Sequence, residues 1–167
     1  MKKLIFIYIL IYISSCQNET FEGNGNGAKK FLAQFLETDA DYRNLTEELM
    51  PNEEDYNLYF KKEFSNIAFQ RYSTMWENED LAIRPDTNQV EIIIDSTTTE
   101  ELLQWTGTAA LEFPGGYQEI AEKLHDSLKI YKFKFVQPGS KIGVSFDGLV
   151  FLNDRWMIFP KPWRVLR

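Results

Sequence analysis

The stretch Leu128–Phe159, LKIYKFKFVQPGSKIGVSFDGLVFLNDRWMIF, decides the fold of this chain. Its alternation of apolar and polar residues predicts three strands, at 128–136, 142–152 and 155–159. Two turns separate them, Pro138-Gly139 and Asn153-Asp154. Asn and Asp both tolerate the positive φ angles of a type I′ turn, so the chain is expected to end in a long antiparallel hairpin.

The register of these turns predicts which side chains share a face of the sheet. The second turn pairs Leu152 with Arg155, and we expect Val136 to pair with Lys141 in the same way. One face then forms the core, with Tyr131, Phe133, Phe135, Ile142, Val144, Phe146, Val150, Met157 and Phe159. The other face carries Lys132, Lys134, Ser145 and Asp147 at one end and Leu149, Phe151, Trp156 and Ile158 at the other.

Helices are predicted upstream of this sheet. Apolar residues at helical spacing indicate one helix from Ala28 to Leu36, a short one before Pro51, and a long one from the N-cap Asn52 to about Trp76. A strand is expected around 90–94, then a helix with a Thr97/Glu100 capping box and another helix after residue 116. Helices followed by an antiparallel sheet predict the α+β class.

The element order and the ending GLVFLNDRW at 148–156 resemble the cone-shaped nuclear transport factor 2-like or cystatin-like superfamily. The resemblance covers residues 28–160 and implies N-terminal helices packed on a bent antiparallel sheet. Such folds serve as enzymes, carrier domains and dimerisation modules, so the resemblance does not select a function.

The first sixteen residues read as an export signal. Lys2 and Lys3, an apolar run over 4–13 and two serines have the order of a secretory signal peptide, predicted at 1–15. Ile13-Ser14-Ser15-Cys16 resembles the lipobox of bacterial lipoproteins, which implies cleavage before Cys16 and lipidation of its sulfur. Cys16 is the only cysteine and has no disulfide partner within the chain. The alternative is a plain signal peptide whose apolar region ends near a cysteine.

The remaining sequence divides into a tether and a domain. Residues 16–27 are polar and glycine-rich and predict a flexible tether, and 28–167 are expected to form a single domain. Gln17 stands where an aspartate would resemble the retention signal of inner-membrane lipoproteins. A glutamine at this position favours the outer membrane of a Gram-negative bacterium. The net charge of −7 disfavours nucleic acid as a partner.

Familiar catalytic and metal-binding patterns are not found in the sequence. His125 is the only histidine and is expected at a helix end, and a single histidine and cysteine do not supply a usual zinc site or a nucleophilic triad. We therefore predict neither a metal nor a cofactor. Asp147 lies between apolar residues on a central strand; a cross-strand ion pair with Lys132 is the favoured explanation, and a pocket acid is the alternative.

These observations predict a lipid-anchored envelope protein that acts as a non-enzymatic binding or interaction module for an unknown ligand or protein. A ligand pocket is expected among Tyr56, Tyr59, Phe60, Phe133 and Phe146. The patch Leu149, Phe151, Trp156 and Ile158 is expected to be covered by the tail 161–167 with Trp163, or by a second chain in a homodimer. The alternatives are a small cone-fold enzyme that uses Asp147 or a neighbouring tyrosine in a pocket, and a dimeric structural or assembly subunit.

Overall fold

A computed structural model describes residues 21–166, which contain a four-stranded antiparallel sheet with helices on both faces. The sheet order follows the chain: β1 Glu91–Thr98, β2 Lys129–Val136, β3 Gly143–Leu152 and β4 Arg155–Ile158. The predicted α+β class is confirmed. The predictions for the signal peptide and for Cys16 lie outside the described residues.

Eight α-helices accompany the sheet within 21–166: α1 Gly25–Ala33, α2 Tyr42–Glu48, α3 Glu53–Tyr59, α4 Lys62–Trp76, α5 Thr99–Gln104, α6 Gly107–Glu112, α7 Gly116–Ile120 and α8 Pro162–Val165. Single 3₁₀ turns follow α1 at Gln34–Leu36 and α7 at Ala121–Lys123. Asn52 caps α3 as predicted, whereas the capping box of α5 uses Thr98 and Glu101, one residue later than expected. Helix α6 was not predicted.

The prediction of one long helix from Asn52 to Trp76 is wrong, because two helices, α3 and α4, occupy this range. Phe60 is extended, with φ −103° and ψ 144°, and forms an isolated β-bridge with Leu124. The backbone N–H of His125 donates to the Tyr59 carbonyl at 3.0 Å, and Lys61 N–H donates to the Lys123 carbonyl at 2.9 Å. These hydrogen bonds to a distant segment replace helical ones and interrupt the helix. The apolar side chains keep helical spacing across the break, which is why the sequence predicted one helix.

The domain begins before residue 28, although the sequence predicted a flexible tether over residues 16–27. Asn24 caps α1 by accepting hydrogen bonds from the backbone N–H groups of Asn26 and Gly27, so the helix begins at Gly25 despite its glycines. Phe21 packs edge-on against Phe31, with 5.3 Å between ring centroids. The Tyr131 hydroxyl donates to the Gly23 carbonyl at 3.3 Å. Side-chain capping and ring packing thus fix a segment whose composition is typical of a linker.

A β-bulge at Gly148 divides β3 into two halves of opposite phase. Tyr131 pairs with Leu149 and Lys132 with Asp147, so Gly148 is the extra residue, at φ +86°. Alternation is reversed across such a bulge, and glycine is favoured there because it adopts positive φ without a Cβ clash. Val136 pairs with Gly143 rather than with Lys141, and the predicted β3–β4 register is confirmed.

The prediction of a single core face is wrong. The bulge reverses the alternation of side chains along β3, and the sheet is buried on both faces. Tyr131, Phe133, Phe135 and Phe146 pack with α1, α2 and the residues between them, whereas Val150, Met157 and Phe159 pack against the later helices. Ile142, which was assigned to the core, is 86% exposed. The helices therefore enclose the sheet rather than lie on one face.

The predicted interface patch is interior. Leu149, Trp156 and Ile158 are at most 3% exposed, and they pack with the side chains of α1 and α2. The backbone N–H of Ile158 also donates to the Leu49 carbonyl at 3.0 Å. Neither predicted cover is correct, because the first helices cover the patch while Trp163 of the tail packs beside Tyr117 on the opposite face. Phe151 remains half-buried at the rim.

Candidate functional site

Three fully buried tyrosines lie on the face of the sheet that α3, α4 and α7 cover. Tyr59, Tyr72 and Tyr117 are each 0% exposed, and Tyr59 stacks on Phe159 with 4.2 Å between ring centroids. Burial is the main cause that raises the pKa of all three phenols. The phenols are therefore neutral within an apolar layer. The Tyr72 hydroxyl donates to the Pro160 carbonyl at 3.0 Å, whereas the buried Tyr59 hydroxyl has no hydrogen-bond partner among the described residues.

Asp147 reaches this layer from β3. Its Oδ1 accepts a hydrogen bond from the Tyr117 hydroxyl at 3.0 Å and another from the backbone N–H of Lys161 at 3.0 Å. Desolvation raises the pKa of Asp147, although these two hydrogen bonds and the charges of Lys161 and Lys132 oppose the rise. The carboxyl group is thus held by neutral donors in a partly desolvated position.

The predicted ion pair between Asp147 and Lys132 is wrong. The two residues are cross-strand partners, but the Lys132 ammonium lies 3.7 Å from Glu112 Oε2 and also donates to the Glu112 carbonyl at the end of α6. Glu112 therefore attracts the lysine away from its strand neighbour. Asp147 is left with Tyr117 and the backbone of Lys161 as its hydrogen-bond partners.

Asp147 lines a cleft with a volume of about 490 Å³. The cleft is open to solvent, and its accessible surface is mostly apolar. It is bounded by α4, β3, the loop residue Leu81 and the C-terminal segment around α8. Its lining residues are Arg71, Met75, Leu81, Ser145, Phe146, Asp147, Pro160, Lys161, Arg164 and Val165. This size lies in the range of small-molecule sites.

Three basic residues border the cleft beside the single carboxylate of Asp147. Lys161 and Arg164 are exposed, on either side of the start of α8. The Arg71 guanidinium donates to the carbonyl of Val165 and connects α4 to the end of α8. The local charge is therefore positive, in a chain whose overall charge is −7.

The residues predicted to form a pocket do not meet in one space. Tyr56, Tyr59 and Phe60 lie in the core between the sheet and the later helices, whereas Phe133 and Phe146 stack on each other at 5.2 Å on the opposite side. The bulge at Gly148 causes this separation, because it moves Phe146 away from the face of Val150. Of the five, only Phe146 lines the cleft.

The sequence indicated one residue of the cleft directly, since Asp147 stood out as an acid among apolar neighbours. It missed Arg71, Met75 and Arg164, which come from distant segments. Arg71 and Met75 are one helical turn apart on α4, and this spacing was the available signal. The contacts of α4 with α8 bring these segments together.

Two further features of residues 21–166 bear on function. No helix in this range is long and apolar enough to cross a membrane. Within the same range, no three His, Cys, Asp or Glu residues are grouped so that they could hold a metal ion. His125 is exposed and follows the 3₁₀ turn after α7.

No protein family model, curated protein or solved structure matches the chain.

Proposed function

We propose that this protein is a lipid-anchored envelope protein that binds a small, partly apolar ligand in the cleft between α4, β3 and α8. The observation that carries the binding function is the cleft itself: a largely apolar surface of ligand size into which one carboxyl group projects. The anchoring rests on the lipobox-like Ile13–Cys16 and on the use of Cys16 as the only cysteine. The outer membrane of a Gram-negative bacterium is the proposed location.

A ligand screen tests the binding function. The chain beginning at residue 17 contains all of residues 21–166, and its melting temperature is measured with envelope sugars, lipids and short peptides. We expect ligands that raise the melting temperature of the parent chain, because selective binding stabilises the folded state. The Ser145→Trp variant, whose side chain fills the cleft, should lose these shifts in melting temperature. The Lys29→Trp variant, at an exposed position on α1, should keep them. A screen in which no compound raises the melting temperature of the parent chain contradicts the proposal.

A small enzyme that uses Asp147 is the second candidate. Its support is the placement of this carboxyl group in the cleft together with its raised pKa, a combination typical of catalytic acids. Mass spectrometry of each ligand after incubation distinguishes the two functions. Chemical conversion that Asp147→Asn abolishes indicates an enzyme, whereas unchanged ligand indicates a binding protein.

Anchoring is tested separately on native material. Mass spectrometry of the amino-terminal peptide should show a chain that starts at Cys16 and carries a diacylglycerol thioether. An unmodified sulfur or an uncleaved leader would contradict the location without bearing on the cleft.

A further inference from the structure

The apolar wall of the cleft consists of five of its ten lining residues and suits a hydrocarbon chain. Met75 comes from α4, Phe146 from β3 and Val165 from α8, and Leu81 and Pro160 complete the wall. None of these side chains carries a hydrogen-bond donor, so they select for apolar surface rather than for a polar pattern. A flexible chain of methylene groups suits such a wall, because burial of methylene groups away from water is favourable.

The charged part of the cleft is concentrated at the start of α8. Lys161 and Arg164 are exposed and lie on the same short segment, next to the apolar Val165. Neither residue forms an ion pair within 4.0 Å with any acid in residues 21–166. An acidic group bound here would therefore find two cations without breaking an ion pair among residues 21–166.

Asp147 does not cancel this preference. Its Oδ1 is occupied by the Tyr117 hydroxyl and the Lys161 N–H, and its pKa is raised by desolvation. Among the residues that line the cleft, Lys161 and Arg164 alone outnumber this one acid. A cationic head group would consequently meet net repulsion, and a neutral one would leave the cations unused.

We infer that the ligand is an acidic amphiphile: one acyl chain on the Met75, Phe146 and Val165 wall, with a carboxylate or phosphate head between Lys161 and Arg164. This inference rests on the proposed function and gives the chemical class of its ligand. A free fatty acid and an anionic lysophospholipid share this chemistry.

Calorimetric titration with probes that share a dodecyl chain and differ in their heads tests the inference. Dodecanoate, dodecan-1-ol and dodecyltrimethylammonium are added below their micellar concentrations to the chain that begins at residue 17. We expect dodecanoate to bind at least about tenfold more tightly than the alcohol, which corresponds to about 1.4 kcal/mol, and the cation to bind most weakly. Lauroyl lysophosphatidylglycerol is a parallel arm, and its affinity relative to dodecanoate shows which source of the acidic head is preferred.

The double variant Lys161→Gln and Arg164→Gln should lose about tenfold in dodecanoate affinity and keep its affinity for the alcohol. Lys29→Gln, at an exposed position on α1 outside the cleft lining, should leave both unchanged. Equal binding of acid and alcohol, or tighter binding of the cation, overturns the ligand class while the cleft still functions as a binding site. Failure of every probe counts against the ligand class as well, whereas the proposed function fails only if the wider ligand screen is silent too.

Discussion

The Tyr117 hydroxyl donates a 3.0 Å hydrogen bond to Asp147 Oδ1, and the backbone N–H of Lys161 donates to the same oxygen. A single carboxyl oxygen therefore connects α7, β3 and the segment that leads into α8. Because Asp147 also lines the cleft, the protonation of one group affects both the stability of these contacts and the charge that a ligand meets.

The stability of the protein should depend on the ionisation of Asp147. Desolvation raises its pKa above the ordinary value of 3.8, so the folded chain holds this proton more tightly than the unfolded chain. The stabilisation from this group is fully present below pH 3.8 and is lost as pH rises through the folded-state pKa. Asp147→Asn cannot ionise and should gain stability relative to the parent chain from about pH 4 to about pH 7.

Urea unfolding of both chains across this pH range measures the effect. Asp80→Asn, a substitution at an exposed aspartate, serves as the control and should track the parent chain. A constant difference in unfolding free energy between parent and Asp147→Asn would show that the carboxyl group is not desolvated in the folded state.

Gly148→Ala should be strongly destabilising. A Cβ at this position would lie 2.1 Å from the Phe159 carbonyl oxygen, and the backbone has φ +86°. We expect a loss of about 3 kcal/mol or more in unfolding free energy, from crowding and backbone strain together. Gly139→Ala is the matched control, because Gly139 has φ +75° with nothing within 4 Å of its added Cβ. Its cost should be about 1 kcal/mol, and equal losses would refute the crowding argument.

Arg155→Met should also destabilise the fold. The Arg155 guanidinium bonds the carboxylate of Asp55, whose side chain is 0% exposed, and it also donates to the Met50 carbonyl at 3.3 Å. Removing the cation leaves a buried charge, which costs about 3 kcal/mol. Lys61→Met breaks a solvent-exposed pair with Asp126 at 3.9 Å and should cost less than about 1 kcal/mol. Chemical denaturation compares the two, and similar losses would contradict the role of burial.

Trp156→Asp should unfold the monomer rather than separate a dimer. Trp156 is 3% exposed and packs edge-on against Tyr131, with ring centroids 5.3 Å apart. A carboxylate at this position would be buried without a cation, at a cost of several kcal/mol. Ile142→Asp, at a position 86% exposed, should fold normally. Circular dichroism with light scattering checks this, and a folded Trp156→Asp monomer would show that the patch is not interior.

The C-terminal hairpin could be predicted because its turn is local. Asn153 and Asp154 both have positive φ, at 50° and 56°, as a type I′ turn requires. Two such residues between apolar strands determine the pairing of Leu152 with Arg155 without reference to the rest of the molecule. The cap of α3 at Asn52 was equally accessible, because it depends on residues three positions apart, whereas the capping box of α5 was predicted one residue too early.

Features that depend on distant contacts could not be read in this way. Gly148 was visible as a glycine in a strand, but the bulge that it forms depends on the pairing with β2. The break at Phe60 depends on the segment around Leu124, which lies more than sixty residues away. The cleft could not be predicted for the same two reasons. The bulge sets the direction of Phe146, and Arg71 comes from α4, which begins after the break.

The contacts of Phe21 with α1 and of Gly23 with Tyr131 limit how far the protein can stand from a bilayer. Five peptide units separate Cys16 from Phe21, and a fully extended chain of that length spans about 17 Å. A protein acylated at Cys16 would consequently be confined near the head groups with α1 close to the surface.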